Sequence, residues 1–291
     1  MLTRRTLLKA GAATAVSTSG IAAYSVVVEP RFRLHRARYR VQDPKWTGQA
    51  PLKIVALADF HFNDPWMPLS RVKAIVEQAN YEKPDIILML GDYAPGLTHV
   101  PHAALALSDW SVELAKLTAP LGVYGILGNH DWWTDGPAYS KALGDAGVNV
   151  LSNRSLTIDR KEKGAFTVSG TDSAEAEFLP NGGHRDRSNI NAALEQARPQ
   201  LPIIHIMHEP DLFASMPERV FLSFAGHTHG GQVNLPFVGR PVIPSRYGQR
   251  YAYGHIKERG QHLIVSGGLG VSMAPVRFRV PPEITIVDVI G

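Results

Sequence analysis

The chain has 291 residues, twelve histidines, no cysteine and a formal net charge of +4. Without cysteine there are no disulfides, no thiol catalysis and no thiolate metal sites. The charge is uneven. Residues 1–53 hold ten Lys or Arg against two acids, so the remainder, with twenty against twenty-four, is net negative. A body with no basic face argues against nucleic acid as a partner.

The N-terminus opens Met1-Leu2-Thr3-Arg4-Arg5-Thr6-Leu7-Leu8-Lys9 and then runs uncharged from Ala10 to Val28. Paired arginines before a weakly apolar stretch have the pattern of a twin-arginine export signal, assigned to residues 1–30. Such a signal implies the twin-arginine machinery as a partner and a periplasmic, cell-envelope or inner-membrane-anchored location. Arg31, Arg33, Arg36, Arg38 and Arg40 follow. Residues 31–52 therefore read as a basic linker able to sit on anionic lipid headgroups. Basic flanks also tend to stay in the cytoplasm, which makes association with the cytoplasmic membrane face the alternative.

From residue 53 to 291 the chain reads as one α/β domain. Short apolar runs rich in β-branched residues predict strands over Lys53–Ala58, Asp85–Leu90, Val123–Leu127, Pro202–Met207 and Val220–Ala225. Helix-length segments over Leu69–Asn80, Ala104–Leu117 and Pro137–Ala146 alternate with the first three, which predicts βαβ units and a parallel sheet. Phe166–Gly170, His262–Ser266 and Glu283–Val289 read as a second, mixed sheet. Just past the five runs stand Asp59-Phe60-His61, Gly91-Asp92-Tyr93, Gly128-Asn129-His130-Asp131, Met207-His208-Glu209 and Gly226-His227-Thr228-His229-Gly230. Loops beyond strand C-termini are where α/β folds place their chemistry.

These residue types spell a site for two divalent cations. Neutral imidazoles and carboxylates suit manganese first, with iron, zinc or nickel also compatible. Asp92 is the natural bridge, because each oxygen of a carboxylate can serve one cation. Two cations about 3.5–4 Å apart can hold a hydroxide between them and clamp phosphate oxygens for in-line attack. His130 adjoins Asn129 and is placed to donate a proton to the leaving oxygen or to hold the phosphate. Asp131 reads equally as a residue that orients His130 and as a helix cap. Trp132 and Trp133 are candidates for the substrate wall or the core. Arg277 reads as a solvated arginine, and the seven histidines outside the motifs as surface or satisfied core residues.

Together the motifs D-x-H, G-D, G-N-H-D, a lone His after a strand and G-H-x-H resemble those of the calcineurin-like metallophosphoesterases. The resemblance runs from Lys53 to about Val289. It implies a four-layer α/β/β/α sandwich. One metal would be held by Asp59, His61, Asp92 and His229, and the second by Asp92, Asn129, His208 and His227, with His130 as the catalytic histidine that binds no metal. The strings H-E-P-D (His208–Asp211), A-G-H-T-H-G-G-Q (Ala225–Gln232) and P-V-R-F-R-V-P-P-E-I (Pro275–Ile284) resemble exported or membrane-associated bacterial phosphodiesterases. That subgroup includes UDP-2,3-diacylglucosamine pyrophosphatases of lipid A synthesis, which makes this activity the alternative. The expected substrate is a small phosphoester or a phospholipid-like one. Tyr93-Ala94-Pro95 after Asp92 departs from the protein Ser/Thr phosphatases, so that activity is not implied. A non-catalytic, membrane-linked binding module is the remaining reading, and the intact ligand set weighs against it.

Overall fold

The computed structural model describes residues 19–180 and 182–291, so Arg4, Arg5 and the first part of the expected signal lie outside the described residues. A helical stretch over 19–32 ends in α1 (Glu29–Phe32) and leads into β1 (His35–Gln42). Next come β2 (Leu52–Leu57), α2 (Leu69–Tyr81), β3 (Ile86–Met89), α3 (Leu107–Leu114), β4 (Val123–Gly125), α4 (Asn129–Asp145) and β5 (Val148–Val150). The second half holds β6 (Arg154–Asp159), β7 (Ala165–Gly170), α5 (Ile190–Glu195), β8 (Ile203–Ile206), β9 (Val220–Ala225), β10 (Gly254–Glu258), β11 (Gln261–Val265) and β12 (Glu283–Ile290).

Two six-stranded sheets result. The first runs β1-β12-β2-β3-β4-β5, and the second β10-β11-β9-β8-β7-β6. In each, one side chain parity faces the other sheet and the opposite parity faces helices, so the central strands are buried on both faces and mostly apolar. On β2, Ile54 and Ala56 enter the core between the sheets, while Val55 and Leu57 pack under the helices. On α2 the buried positions are Val72, Ile75, Val76 and Ala79, the spacing of one helical face. A third cluster joins Leu194 of α5 and Phe213 to Ile203 and Leu263 on the outer face of the second sheet. The layers are therefore α/β/β/α, as expected.

Two expectations are corrected. The Glu283–Val289 run belongs to the first sheet, not the second. β12 lies between β1 and β2, parallel to the former and antiparallel to the latter. It fits there because Ile284 and Ile286 reach the helix-side core while Val287 and Val289 reach the core between the sheets. The stretch 31–52 is not a linker. His35–Gln42 is the edge strand, with Ala37 and Val41 buried and Arg36, Arg38 and Arg40 exposed. Arg36 and Arg38 share Glu82 at 3.4 and 2.5 Å. Charged residues along an edge also discourage pairing with another chain.

Helix bounds shift too. The segment expected over Pro137–Ala146 begins at Asn129, with non-helical backbone at Asp135 just before Pro137. Its first turn thus carries the G-N-H-D motif.

Candidate metal centre

The five motifs follow β2, β3, β4, β8 and β9 within four residues. Three come from the first sheet and two from the second, so the site straddles the C-terminal edges of both. Backbone hydrogen bonds extend the sheets into it. Asp59 N donates to Gly91 O at 3.0 Å, His61 N to Asp92 O at 3.0 Å and Gly226 N to His208 O at 3.1 Å. The sheets are tied together where His227 N donates to Asp59 Oδ1 at 2.9 Å.

Turning so many side chains inward strains the backbone. Asp59, His61, Asp92, His227 and His229 all have positive φ, between 46° and 68°. Each such residue costs on the order of 1–3 kcal/mol and persists only where its surroundings impose it. Glycines make the crowding possible. A Cβ on Gly128 would lie 2.2 Å from Asp92 Oδ1, and one on Gly268 would lie 2.7 Å from Asp59 Oδ2.

Asp59, His61, Asp92 and His229 offer ligand atoms within 4.8 Å of one another, and so do Asp92, His208 and His227. Asp92 is common to both groups. Its Oδ2 lies 3.5 Å from His61 Nε2 and 3.2 Å from His208 Nε2. Asn129 joins the second group, with Oδ1 3.0 Å from His227 Nδ1.

These residues fit a pair of cations. His61 Nδ1 donates to Ala94 O at 2.6 Å and His208 Nδ1 to Leu90 O at 2.7 Å. The two carbonyl contacts put a proton on each of these Nδ1 atoms and turn His61 Nε2 and His208 Nε2 toward Asp92. Asp59 Oδ2 and His227 Nε2 are buried without a hydrogen-bond partner. An unpartnered buried carboxylate oxygen costs about 1–3 kcal/mol or more, which a cation would offset. Burial pushes the His61 and His227 imidazoles down to about 3, so both stay neutral and able to ligate. Burial also disfavours charge on Asp92, yet the facing His208 and His130 hold its carboxyl well below the usual range.

Asp131 does not touch His130. Its carboxylate accepts from the backbone N–H of Gly128, Asp92, Tyr93 and Ala94 at 2.7–3.0 Å. It caps the first turn of α4 and clamps the Asp92 loop to it, which is the capping reading made broader. His130 N donates to Asp92 Oδ1 at 3.0 Å, and its Nε2 lies 3.4 Å from Ser272 Oγ. Its ring lines a cleft of about 400 Å³ together with Asp92, Asn129, His227 and His229.

Arg277 and Glu175 escape sequence reasoning, while Trp132 and Trp133 divide between the core and the cleft wall. Arg277 is fully buried rather than solvated. It donates to the carbonyls of Gly267, Gly270 and Val280, and Nη2 lies 3.3 Å from His229 Nδ1. That buried charge helps burial and His61 to keep His229 neutral. Trp133 lines the cleft, its ring 4.7 Å from that of His130, and donates Nε1–H to Glu175 O. Trp132 packs against the helix-side core with Arg187 stacked 4.1 Å above it. Glu175 reaches within 3.9 Å of His227 Nε2. Asp172 turns away to Ser152 and Asn153. A spacing signal exists only for Trp133, three residues past His130 on the same helical turn.

Comparison with known proteins agrees with this geometry. The family model for calcineurin-like phosphoesterases matches residues 52–256. An uncharacterized metallophosphoesterase of Bacillus subtilis, YkuE, is 31% identical over 98% of this chain and 96% of its own. Phosphodiesterase YaeI of Escherichia coli is 29% identical over the full length of both. A transmembrane protein with a metallophosphoesterase domain from Danio rerio is 27% identical over 80% of this chain and 52% of its own. With the Asp/His cluster, the four layers and a matched model over most of its length, the chain belongs to the calcineurin-like metallophosphoesterase family.

Proposed function

We propose that this protein is a dinuclear-metal hydrolase of phosphodiester or phosphomonoester bonds, working at the cell envelope. The observation that carries the reading is Asp92, whose Oδ2 lies between His61 Nε2 and His208 Nε2. Asp59, His61, Asp92 and His229 would hold one cation, and Asp92, Asn129, His208 and His227 the other. What such a pair supplies when bound is an activated water and neutralisation of phosphate charge.

The chain's own residues do the rest. His130, at the cleft beside Asp92, is the group to meet the leaving oxygen, giving it a proton or holding the phosphate. Ser272 steadies the ring. Trp133 and Glu175 shape the wall next to it. Similarity to a phosphodiesterase of Escherichia coli favours a diester. Hydrolysis of bis-p-nitrophenyl phosphate with added Mn²⁺ tests the reading. Full turnover after exhaustive chelation and dialysis would sink it.

The location is part of the proposal. No helix among the described residues is long and apolar enough to cross a membrane. The support is the Arg4-Arg5 pattern with its uncharged stretch, and the Arg31–Arg40 cluster suited to an anionic surface. A second reading is hydrolysis of the pyrophosphate of UDP-2,3-diacylglucosamine on the cytoplasmic face. It draws on the apolar side of the cleft, where Val233, Val242, Met273 and Val276 would accept acyl chains. UMP release from that lipid would favour it.

A further inference from the structure

Exposed apolar side chains are not scattered over this molecule. Of the fourteen large hydrophobic residues exposed among the described residues, eleven fall in 21–32 and in the 235–242 and 273 loops. Single exposed apolar residues are ordinary, but a concentration beside a functional cleft marks an interaction surface.

The tip of the second patch is built to protrude. Leu235 N donates to Gly239 O at 2.8 Å, and Gly239 N to Leu235 O at 2.9 Å. This closes a tight hairpin whose tip is Pro236-Phe237-Val238. Phe237 has φ of 65° and is fully exposed; Val238 is largely exposed. A left-handed backbone is costly for a bulky residue, and a side chain released into water gains nothing from it. No charged residue occurs from Gln232 to Gly239.

One strip of chain joins the two patches. Asn234 N donates to Phe278 O and Phe278 N to Gln232 O, both at 2.9 Å. On the same strip, Arg277 N donates to Ser25 O at 2.9 Å and Val280 N to Glu29 Oε1 at 2.8 Å. The hairpin and the 19–32 helix are thus each hydrogen-bonded to residues 277–280, about 5 Å away at the hairpin, as between paired strands. Val233, Val242, Met273 and Val276, from the hairpin's flanks and the chain leading into the strip, line the cleft.

The geometry points to a lip, Phe237 and Val238 with Met273 and the outer face of 21–32, that seats in a lipid bilayer so that the cleft receives a phosphoester carried on a hydrocarbon anchor. A bilayer is the occupant because the helix carrying half the patch continues the uncharged stretch Ala10–Val28. Exposed Arg33 and Arg279 border the lip, where anionic headgroups would meet them. The anchored phosphate would reach Asp92, Asn129 and His130 while its chain lies along Val242, Met273 and Val276. This substrate class rests on the phosphoesterase reading; the seating does not.

The absence of cysteine allows a direct test on the full chain. Phe237→Cys and, as a control beyond the opposite edge of the sheets, Glu162→Cys each carry one environment-sensitive dye. With vesicles of phosphatidylethanolamine and phosphatidylglycerol, the dye at 237 should shift to the blue and resist iodide quenching, while that at 162 should not. A dye at 237 that stays quenched overturns the proposal. So does a dye shielded before vesicles are added, whether by a second copy, seen as a doubled mass, or by the N-terminal segment. The second arm is Phe237→Ser with Val238→Ser. Turnover of hexadecyl p-nitrophenyl phosphate in those vesicles should fall about tenfold, consistent with lost apolar contact. Turnover of soluble bis-p-nitrophenyl phosphate should be unchanged. Equal turnover of the vesicle substrate by both proteins would overturn the anchored-substrate claim. Failure to cleave the soluble diester would instead overturn the phosphoesterase reading and leave the dye result to decide the seating.

Discussion

His130 separates binding from chemistry. It stands in the cleft with its backbone N–H on Asp92 and its side chain outside both ligand groups. His130→Ala should therefore retain its metal while kcat falls by about 10²–10⁴, the range for losing a general acid or base. The fall should shrink for leaving groups of low pKa, which need little protonation. A uniform fall across a leaving-group series would leave His130 only a phosphate-holding role. At this scale the sequence is legible for ligand types, because each must be Asp, Asn or His and each follows an apolar run. Arg277 is not legible. Its bonds go to carbonyls three to ten residues away and to the distant His229, and nothing in Val276-Arg277-Phe278 announces burial.

Asp131 belongs to the scale of elements, since one carboxylate joins the end of β3 to the start of α4. Asp131→Ala would leave four buried N–H groups without their acceptor. At about 1–3 kcal/mol for each unsatisfied group, a loss of roughly 3 kcal/mol or more is expected. A urea unfolding midpoint unchanged from the parent would refute the clamp. Helix–strand alternation shows the β2-β3-β4 run of the first sheet, because βαβ units leave little choice. The edge strand β1 is present in the sequence as the alternation Arg36-Ala37-Arg38-Tyr39-Arg40-Val41. Its charge suggests a lipid-facing linker, while its period of two specifies a strand, and the period prevails because Ala37 and Val41 have a core to enter. The placement of β12 is not local at all. It depends on a pairing with β2 across more than 220 residues.

At the scale of the whole molecule, two sheets bring three motifs and two motifs to one edge, while the N-terminal helix docks on residues 277–280, just past the chain that lines the cleft. If export uses the twin-arginine route, Arg4→Lys with Arg5→Lys should hold the body in the cytoplasm. Protease added to spheroplasts then distinguishes the faces. A parent protein already protected from that protease would reverse the export proposal and promote the cytoplasmic-face alternative. The central claim, though, is the pair of cations sharing Asp92. Elemental analysis after reconstitution with Mn²⁺ and gel filtration measures it directly. Two equivalents per chain are expected for the parent, about one for His61→Ala, and fewer than that for Asp92→Asn, because only Asp92 serves both groups. A parent that holds a single equivalent, or an Asp92→Asn variant that still holds two, would contradict it.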